Sequence, residues 1–422
     1  MTDVLDELQW RGLIAQHTDL GALRAALDDG PVSYYCGFDP TAASLHHGHL
    51  VQLLLLRHLQ NAGHHPIALV GGATGMIGDP RMSGERKLNT AETVAEWTER
   101  LREQVSRFLS FEGDNAATVV NNMEWTAGLT AIELLRDVGQ HFRMSAMLAK
   151  DTVATRLASS EGLSYTEFSY QLLQGMDFLE LYRRHGVTLQ TGGNDQWGNL
   201  VSGLDLIRKV EGAPVHVLTT PLITKADGTK FGKTEGGAVW LAPDMMSPYA
   251  FYQFWLNTAD DDVVRFLKIF TFRTREEIEA LEAEVAERPF ARVGQKVLAE
   301  DVTTLVHGPE ATARAQAASA AVFGKGDLRE LDADTLRDAT AELPRARGEV
   351  GESSVVDLLV ATGLEAGRGA ARRTIASGGA SINAHKIDDD ERLLTADDLL
   401  AGGVVVLRKG KKSMAIVETQ RD

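Results

Sequence analysis

Two short segments carry residues whose types and spacing suit work on a polyphosphate. The first is Leu45-His46-His47-Gly48-His49-Leu50, and the second, far downstream, is Lys230-Phe231-Gly232-Lys233-Thr234. Ser44 suits an N-cap, Leu50 to Leu59 supply a buried face and Gly63 a stop, so the histidines are expected to open a helix. His46 and His49 then fall on one face of its first turns. Gly48 between them has no Cβ, which lets a flat base or sugar approach the backbone, and the positive end of the helix favours phosphate. The second segment places two lysines in a glycine-bounded loop suited to closing over phosphates from the other side. A zinc site is the rival reading of the histidines, but they have no cysteine partner and no H-E-x-x-H pattern. A P-loop is the rival reading of the lysines. It needs a glycine where this chain has Asp227, and Glu235-Gly236-Gly237 would interrupt the helix that should follow. The pair therefore points to nucleotide chemistry with no metal site of the protein's own.

Elements that could position such residues follow from the apolar runs. Val32 to Phe38, Pro66 to Val70, Thr118 to Asn121 and Val187 to Thr191 are each followed by a helical pattern, which predicts an α/β fold with a Rossmann-like parallel sheet. Ligands of such sheets sit beyond the carboxyl ends of the strands, here Gly37-Phe38-Asp39, Gly71 to Gly75, Asn121-Asn122 and Gly192-Gly193-Asn194-Asp195. A long helix is predicted from Ser164, with Glu167 as its capping-box partner, to a stop at Gly186. Tyr170, Gln174 and Asp177 form one polar stripe on it beside Leu172, Leu173, Met176 and Leu179. That face is short of Lys and Glu, as a selective pocket would be.

The sequence divides into a catalytic domain over 1–242, a helical domain over 243–327, a linker over 328–353 and a small α+β domain over 354–422. In the last, Arg368, Arg372 and Arg373 fall on a short helix, and Arg408, Lys409, Lys411 and Lys412 cluster between two strands. At 422 residues the chain has room for two or three cored domains. Its formal net charge of −16 argues against indiscriminate coating of nucleic acid, so any nucleic acid must meet a local basic patch. The single cysteine, Cys36, leaves no internal disulfide, and the first residues lack the cationic start and apolar run of an export signal. The cytoplasm is the expected location. The longest apolar stretch, Leu50 to Leu56, is interrupted by Gln52 and is too short for a membrane span.

Tyr35-Cys36-Gly37-Phe38-Asp39-Pro40-Thr41 through His49, Gly71 to Pro80, Gln190 to Asn199 and the Lys230 to Thr234 loop together resemble the bacterial tyrosyl-tRNA synthetases, and the resemblance runs through nearly the whole chain. His46 to His49 stand where class I synthetases have H-I-G-H, and Lys230 to Thr234 where they have K-M-S-K-S. The resemblance implies ATP as substrate with Mg2+, L-tyrosine and tRNA(Tyr) as partners, and a homodimer whose interface, by analogy, involves residues 140–156. It assigns Tyr170, Gln174 and Asp79 to the tyrosine ammonium and Tyr35 with Asp177 to the phenolic hydroxyl. Gln190 and Gln196 would line the substrate further. Thr41, His46, Arg86, Lys230 and Lys233 would hold the leaving pyrophosphate. His49, Gly48, Asp39, Gly193, Thr234, Asp195 and Cys36 would surround the nucleotide, the last two at the ribose. After Asp79-Pro80 the chain reads Arg81-Met82-Ser83-Gly84-Glu85-Arg86, one residue shorter than is usual, and the usual lysine has no match; Arg81 is the candidate substitute. The run from Val355 through Gly378 to Asn383 resembles an S4 RNA-binding domain, which implies that the basic clusters of the tail contact RNA and that the helical domain meets the anticodon region. Another nucleotidyl transferase of this fold would not explain Tyr35 with Asp177, and a non-catalytic RNA-binding protein would not explain the intact histidines and lysines.

Overall fold

The computed structural model describes residues 3–81, 84, 88–160, 162–229, 231–234, 237–323, 326–341, 343–410 and 413–419, with the backbone alone at Lys233 and Thr234. Arg86, Lys230, Lys411 and Lys412 lie outside the described residues. The described chain forms two compact units, residues 1–245 with 258–298, and residues 246–257 with 299–422.

The first unit is built on five parallel strands, β1 (Ser33–Phe38), β2 (His65–Val70), β3 (Thr118–Asn121), β4 (Val187–Gly193) and β5 (His216–Thr220), in the order β3-β2-β1-β4-β5. Tyr34, Tyr35, Cys36 and Phe38 are buried on both faces of β1, as a central parallel strand covered by helices requires. Strand β5 lies outside the apolar runs, because its sequence, His-Val-Leu-Thr-Thr, carries only two aliphatic residues. The chain runs outward from β1 to β3 and returns on the other side as β4. The carboxyl ends of β1 and β4 therefore flank a switch point, where such sheets open a crevice.

Helix α1 (His47–Asn61) opens at this crevice, and its N-cap is His46 rather than Ser44. The cause lies downstream. Leu241 N–H donates to the Leu45 carbonyl and His47 N–H to the Val239 carbonyl, each at 2.9 Å, which keeps Leu45 and His46 extended. Ser44 is buried instead, its hydroxyl accepting from Ala242 N–H at 2.9 Å and lying 3.2 Å from Gln104 Oε1. Helix α2 (Tyr165–His185) is capped by Ser164 and ends at Gly186, whose φ of 64° is the left-handed conformation that favours glycine. Only half of the expected capping box forms there, because the Glu167 carboxylate is paired with buried Arg156 at 2.9 Å. Helix α3 (Trp197–Val210) packs along α2. Helix α4 (Asp260–Phe270) buries Val263, Phe266, Leu267 and Phe270, the stripe that its spacing predicts.

The second unit holds α5 (Pro309–Val322), α6 (Ala333–Ala339), β6 (Arg345–Gly348), α7 (Val355–Ala361), α8 (Arg368–Ala376), β7 (Ala380–Ile382), β8 (His385–Lys386), β9 (Val404–Lys409) and β10 (Ser413–Thr419). Its strands order as β8-β7-β9-β10-β6. Two sequence boundaries fall differently here. The helical stretch 243–327 is divided between the units, and 328–353 is not a linker. Leu328, Leu331 and Leu336 are buried in one cluster with Ala318, Val406 and Ile416, and β6 pairs with β10. Sparse apolar residues sufficed because the three leucines converge on one core. No helix among the described residues is long and apolar enough to cross a membrane.

Candidate active site

His46 and His49 stack at the mouth of the crevice, with ring centroids 4.0 Å apart. Gly48 N–H donates to His46 Nδ1 at 3.1 Å, and His46 N–H donates to His49 Nδ1 at 3.2 Å. Both Nδ1 atoms are thus acceptors, so in the neutral rings the proton sits on Nε2. Burial lowers the pKa of both, that of His49 well below the ordinary range. The pair therefore offers neutral N–H donors. The first N–H groups of α1 are spent within the chain, on Val239 O, His46 Nδ1 and His46 O, leaving the helix dipole and the imidazoles to attract a phosphate. Gly48 has a local purpose as well, since a Cβ there would fall 2.9 Å from His46 Cε1. The space beside it holds His46's own ring.

The downstream loop is docked onto this helix start. His47 packs edge-on against Phe231, with centroids 5.3 Å apart, and its imidazole hydrogen-bonds the Phe231 backbone. Phe231 is buried against Phe266 and Phe270 of α4. Gly232 has a φ of 79° and lies under the His47 ring. The backbone of Lys233 and Thr234 pairs with Gly237 and Ala238 in a short hairpin. The structure thus brings the two sequence segments together through His47, which sequence spacing did not single out.

The floor of the crevice carries the polar stripe of α2. Asp177 is buried and accepts from Trp125 Nε1 at 2.8 Å and Asn122 Nδ2 at 3.0 Å. Burial raises its carboxyl to about 7, against the pull of those two donors. Tyr35 is wholly buried with its ring 5.4 Å from that of Phe178, and burial pushes its hydroxyl well above the phenol range. Tyr35 Oη, Gln174 Oε1 and Gln190 Oε1 are buried with no hydrogen-bond partner among the described residues. Orphaned polar atoms are uncommon in a folded interior, and three from the predicted pocket point to a polar occupant. Asn122 also donates to Thr74 Oγ1 at 3.0 Å and Thr74 to Asp39 Oδ1 at 2.7 Å, while Tyr170 Oη donates to the other Asp39 oxygen at 2.7 Å. Asp39, expected beside the nucleotide, is thereby tied to the Tyr170 stripe. Asn122 and Thr74 lie on strand ends expected to line the site, whereas nothing in the sequence pattern marks Trp125.

Asp79 accepts from Gln196 Nε2 at 3.0 Å and from Asn199 Nδ2 at 3.2 Å. Asp195 is exposed and accepts from Gln196 at 3.3 Å, and its carboxylate lies over Gly193, where a Cβ would fall 2.5 Å from Oδ1. Burial pushes the Cys36 thiol up to about 12, so it is a protonated, packed group. Thr41 and Arg81 share a cleft of about 170 Å³ with Gly78 and Asn89. Arg81 is therefore the described cation beside Thr41.

In the second unit the basic residues are largely paired. Arg368 forms two bonds to Asp357, Arg372 meets Asp390 at 3.2 Å and Lys409 meets Glu365 at 3.1 Å. Arg408 turns inward and donates to the Val322 carbonyl. Arg373 stands exposed on α8.

Comparison with known proteins shows the family. Residues 27–324 fit the family described as tRNA synthetases class I (W and Y), and residues 335–417 fit the tyrosine–tRNA ligase SYY-like C-terminal domain. A tyrosine–tRNA ligase of Streptomyces coelicolor is 62% identical over 420 residues, covering 99% of each chain. One from Mycobacterium bovis is 57% identical over 418 residues, covering 98% of each. Among solved structures, a C-terminally truncated mitochondrial tyrosyl-tRNA synthetase of Coccidioides posadasii superposes with a TM-score of 0.66 at 33% identity, over 75% of this chain and 91% of that one. With relatives at this identity over the full chain and a family model matched over residues 27–324, the chain belongs to the tyrosine–tRNA ligases of the class I aminoacyl-tRNA synthetases.

Proposed function

We propose that the first unit condenses L-tyrosine with ATP to tyrosyl-adenylate and pyrophosphate, then passes tyrosine to the 3'-terminal adenosine of tRNA(Tyr), releasing AMP. The observation that carries this reading is the buried, unpartnered Tyr35 hydroxyl together with Asp177, whose carboxylate is oriented by Trp125 and Asn122. A phenolic hydroxyl between them would donate to Asp177 and accept from Tyr35. Phenylalanine would leave the Tyr35 hydroxyl unpaired and Asp177 with only its Trp125 and Asn122 bonds, at a cost of about 1–3 kcal/mol for the buried hydroxyl.

The substrate carboxylate is ionised near neutral pH and needs no general base. Its oxygen forms a bond to the α-phosphorus as the bond to the pyrophosphate oxygen breaks, so the chain's task is to align the two and stabilise the departing charge. His46 and His49 present Nε2–H to the phosphates, and Thr41, Arg81, Lys230, Lys233 and Arg86 add a hydroxyl and charge. Gly48, Gly193, Asp195 and Thr234 surround the nucleoside. Magnesium would arrive with ATP, held by its phosphates rather than by a protein cage. Asp79, Tyr170 and Gln174 receive the tyrosine ammonium.

The second unit would hold the tRNA, with its helices at the anticodon region and with Arg368, Arg372, Arg373 and Lys409, together with Lys411 and Lys412, on the RNA. Arg408 serves the fold of that unit instead. The chain would work as a homodimer in the cytoplasm. Leu135, Met144, Leu148 and Leu157 are exposed around residues 140–156, and pairing with a second copy would cover them. Arg156 is buried inside its own chain and takes no part.

Tyrosine-dependent exchange of pyrophosphate into ATP, measured beside tryptophan and phenylalanine, tests the reading. Exchange with tyrosine alone is expected; equal exchange with phenylalanine would overturn it.

A further inference from the structure

Lys150 lies beside the Asp79 network, and nothing in its sequence context marks it. Its ammonium donates to Asn199 Oδ1 at 2.9 Å. Asn199 Nδ2 lies 3.2 Å from Asp79 Oδ1 and 3.1 Å from Gln196 Oε1. Gln196 Nε2 lies 3.0 Å from Asp79 Oδ2 and 3.3 Å from Asp195 Oδ2. An ammonium has donors and no acceptor, so it binds only the oxygen end of the Asn199 amide. With that oxygen held, both amide hydrogens of Asn199 face Asp79 and Gln196. Gln196 then receives on its oxygen, and its own hydrogens face Asp79 and Asp195. The Lys150 cation at one end and the carboxylates of Asp79 and Asp195 at the other thus agree on one direction for both amides.

We propose that Lys150 is a positioning residue that sets the polarity of an Asn199–Gln196 amide relay and so aims Asp79 at the substrate ammonium and Asp195 at the ribose. The inference rests on the reading of Asp79 and Asp195 given above. A reversed Asn199 would turn its oxygen toward the Asp79 carboxylate, and the repulsion would displace the group that the ammonium must reach. The stem of Lys150 runs over Gly198, where a Cβ would lie 3.4 Å from its Cε. Burial lowers its pKa to about 7, with Asp79 the charge that holds it up. The competing role is that of a cation that repels the substrate ammonium, and it predicts the opposite sign.

The test is a double-mutant cycle on tyrosine-dependent pyrophosphate exchange, using Lys150→Met, Asn199→Ala and the double variant beside the wild-type protein, with thermal melts confirming that each folds. Lys150→Met is expected to raise KM for tyrosine about tenfold, the equivalent of one hydrogen bond's orientation, with a smaller change in kcat. In the Asn199→Ala background the same change should add nothing. Lys150→Arg, also donor-only, should keep most of the wild-type affinity. An unchanged or lower KM in Lys150→Met, or an equal factor in both backgrounds, would overturn the relay. A wild-type protein that shows no tyrosine-dependent exchange would instead strike the parent reading.

Discussion

The imidazole of His47 lies across the face of Gly232, so close that a Cβ on that glycine would fall 1.9 Å from Cε1. Gly232 also has a φ of 79°, a conformation that costs other residues about 1–2 kcal/mol. Gly232→Ala should therefore push the Lys230 to Thr234 loop off the start of α1. Single-turnover adenylate formation is expected to slow by at least about tenfold, since each 1.4 kcal/mol is a factor of ten, while tyrosine binding persists. An unchanged activation rate would show that the contact is incidental.

Tyr35→Phe should have opposite effects on the free and the occupied protein. It deletes a buried hydroxyl that lacks a partner among the described residues, so the free protein should gain stability on the order of 1 kcal/mol. Tyrosine should bind more weakly, and discrimination against phenylalanine should narrow. Denaturant melts together with the ratio of kcat/KM for the two amino acids read both effects. A loss of stability in the free variant would mean that the hydroxyl has a role within the fold.

How much of this was legible in the chain depends on the length scale of the cause. The strand ends, the α2 stripe and the histidine face follow from local patterning, and the structure brings them to one crevice. The N-cap of α1 was misplaced because residues 239–241 decide where that helix begins. Trp125 and Lys150 leave no mark for a related reason: each acts on a residue from another element, and no periodicity records a hydrogen bond across a crevice. Leu328, Leu331 and Leu336 read as linker because their neighbours are polar, yet three apolar side chains meeting a sheet are enough to order a segment.

Acid should loosen the first unit through its buried histidines. Burial holds His47 down to about 4 and His58 to about 3, against roughly 6.5 in an unfolded chain. Between those values the unfolded chain binds more protons, so stability is full above about pH 6.5 and is lost as pH falls toward the folded values. Thermal midpoints measured from pH 7 to pH 4.5 should fall, and His58→Leu, which removes a buried ring nitrogen away from the crevice, should flatten the slope. A parallel slope in the variant would exclude His58 as a contributor.

The turn between β7 and β8 places Asn383 and Ala384 at φ of 45° and 67°. Alanine has no side-chain hydrogen bond to offset the left-handed conformation, whereas asparagine can bond locally. Ala384→Gly should raise the stability of the second unit by about 0.5–1 kcal/mol, the relief of strain less the entropy that glycine adds to the unfolded chain. Calorimetry of the full chain would register it, and a lower midpoint would show that the Ala384 methyl group contributes more than the strain costs.

Arg156 grips the substrate loop in a way that bears on its inheritance. Its guanidinium, paired with Glu167, donates to the backbone carbonyls of Arg81, Gly84 and Gly162. A carbonyl is the same on every residue. The segment is thus held at Arg81 and Gly84 by contacts that do not register which side chains it carries. Substitutions between Asp79 and Arg86 can therefore change the side chains the loop presents without touching its anchor, whereas a change at Arg156 or Glu167 would remove that anchor.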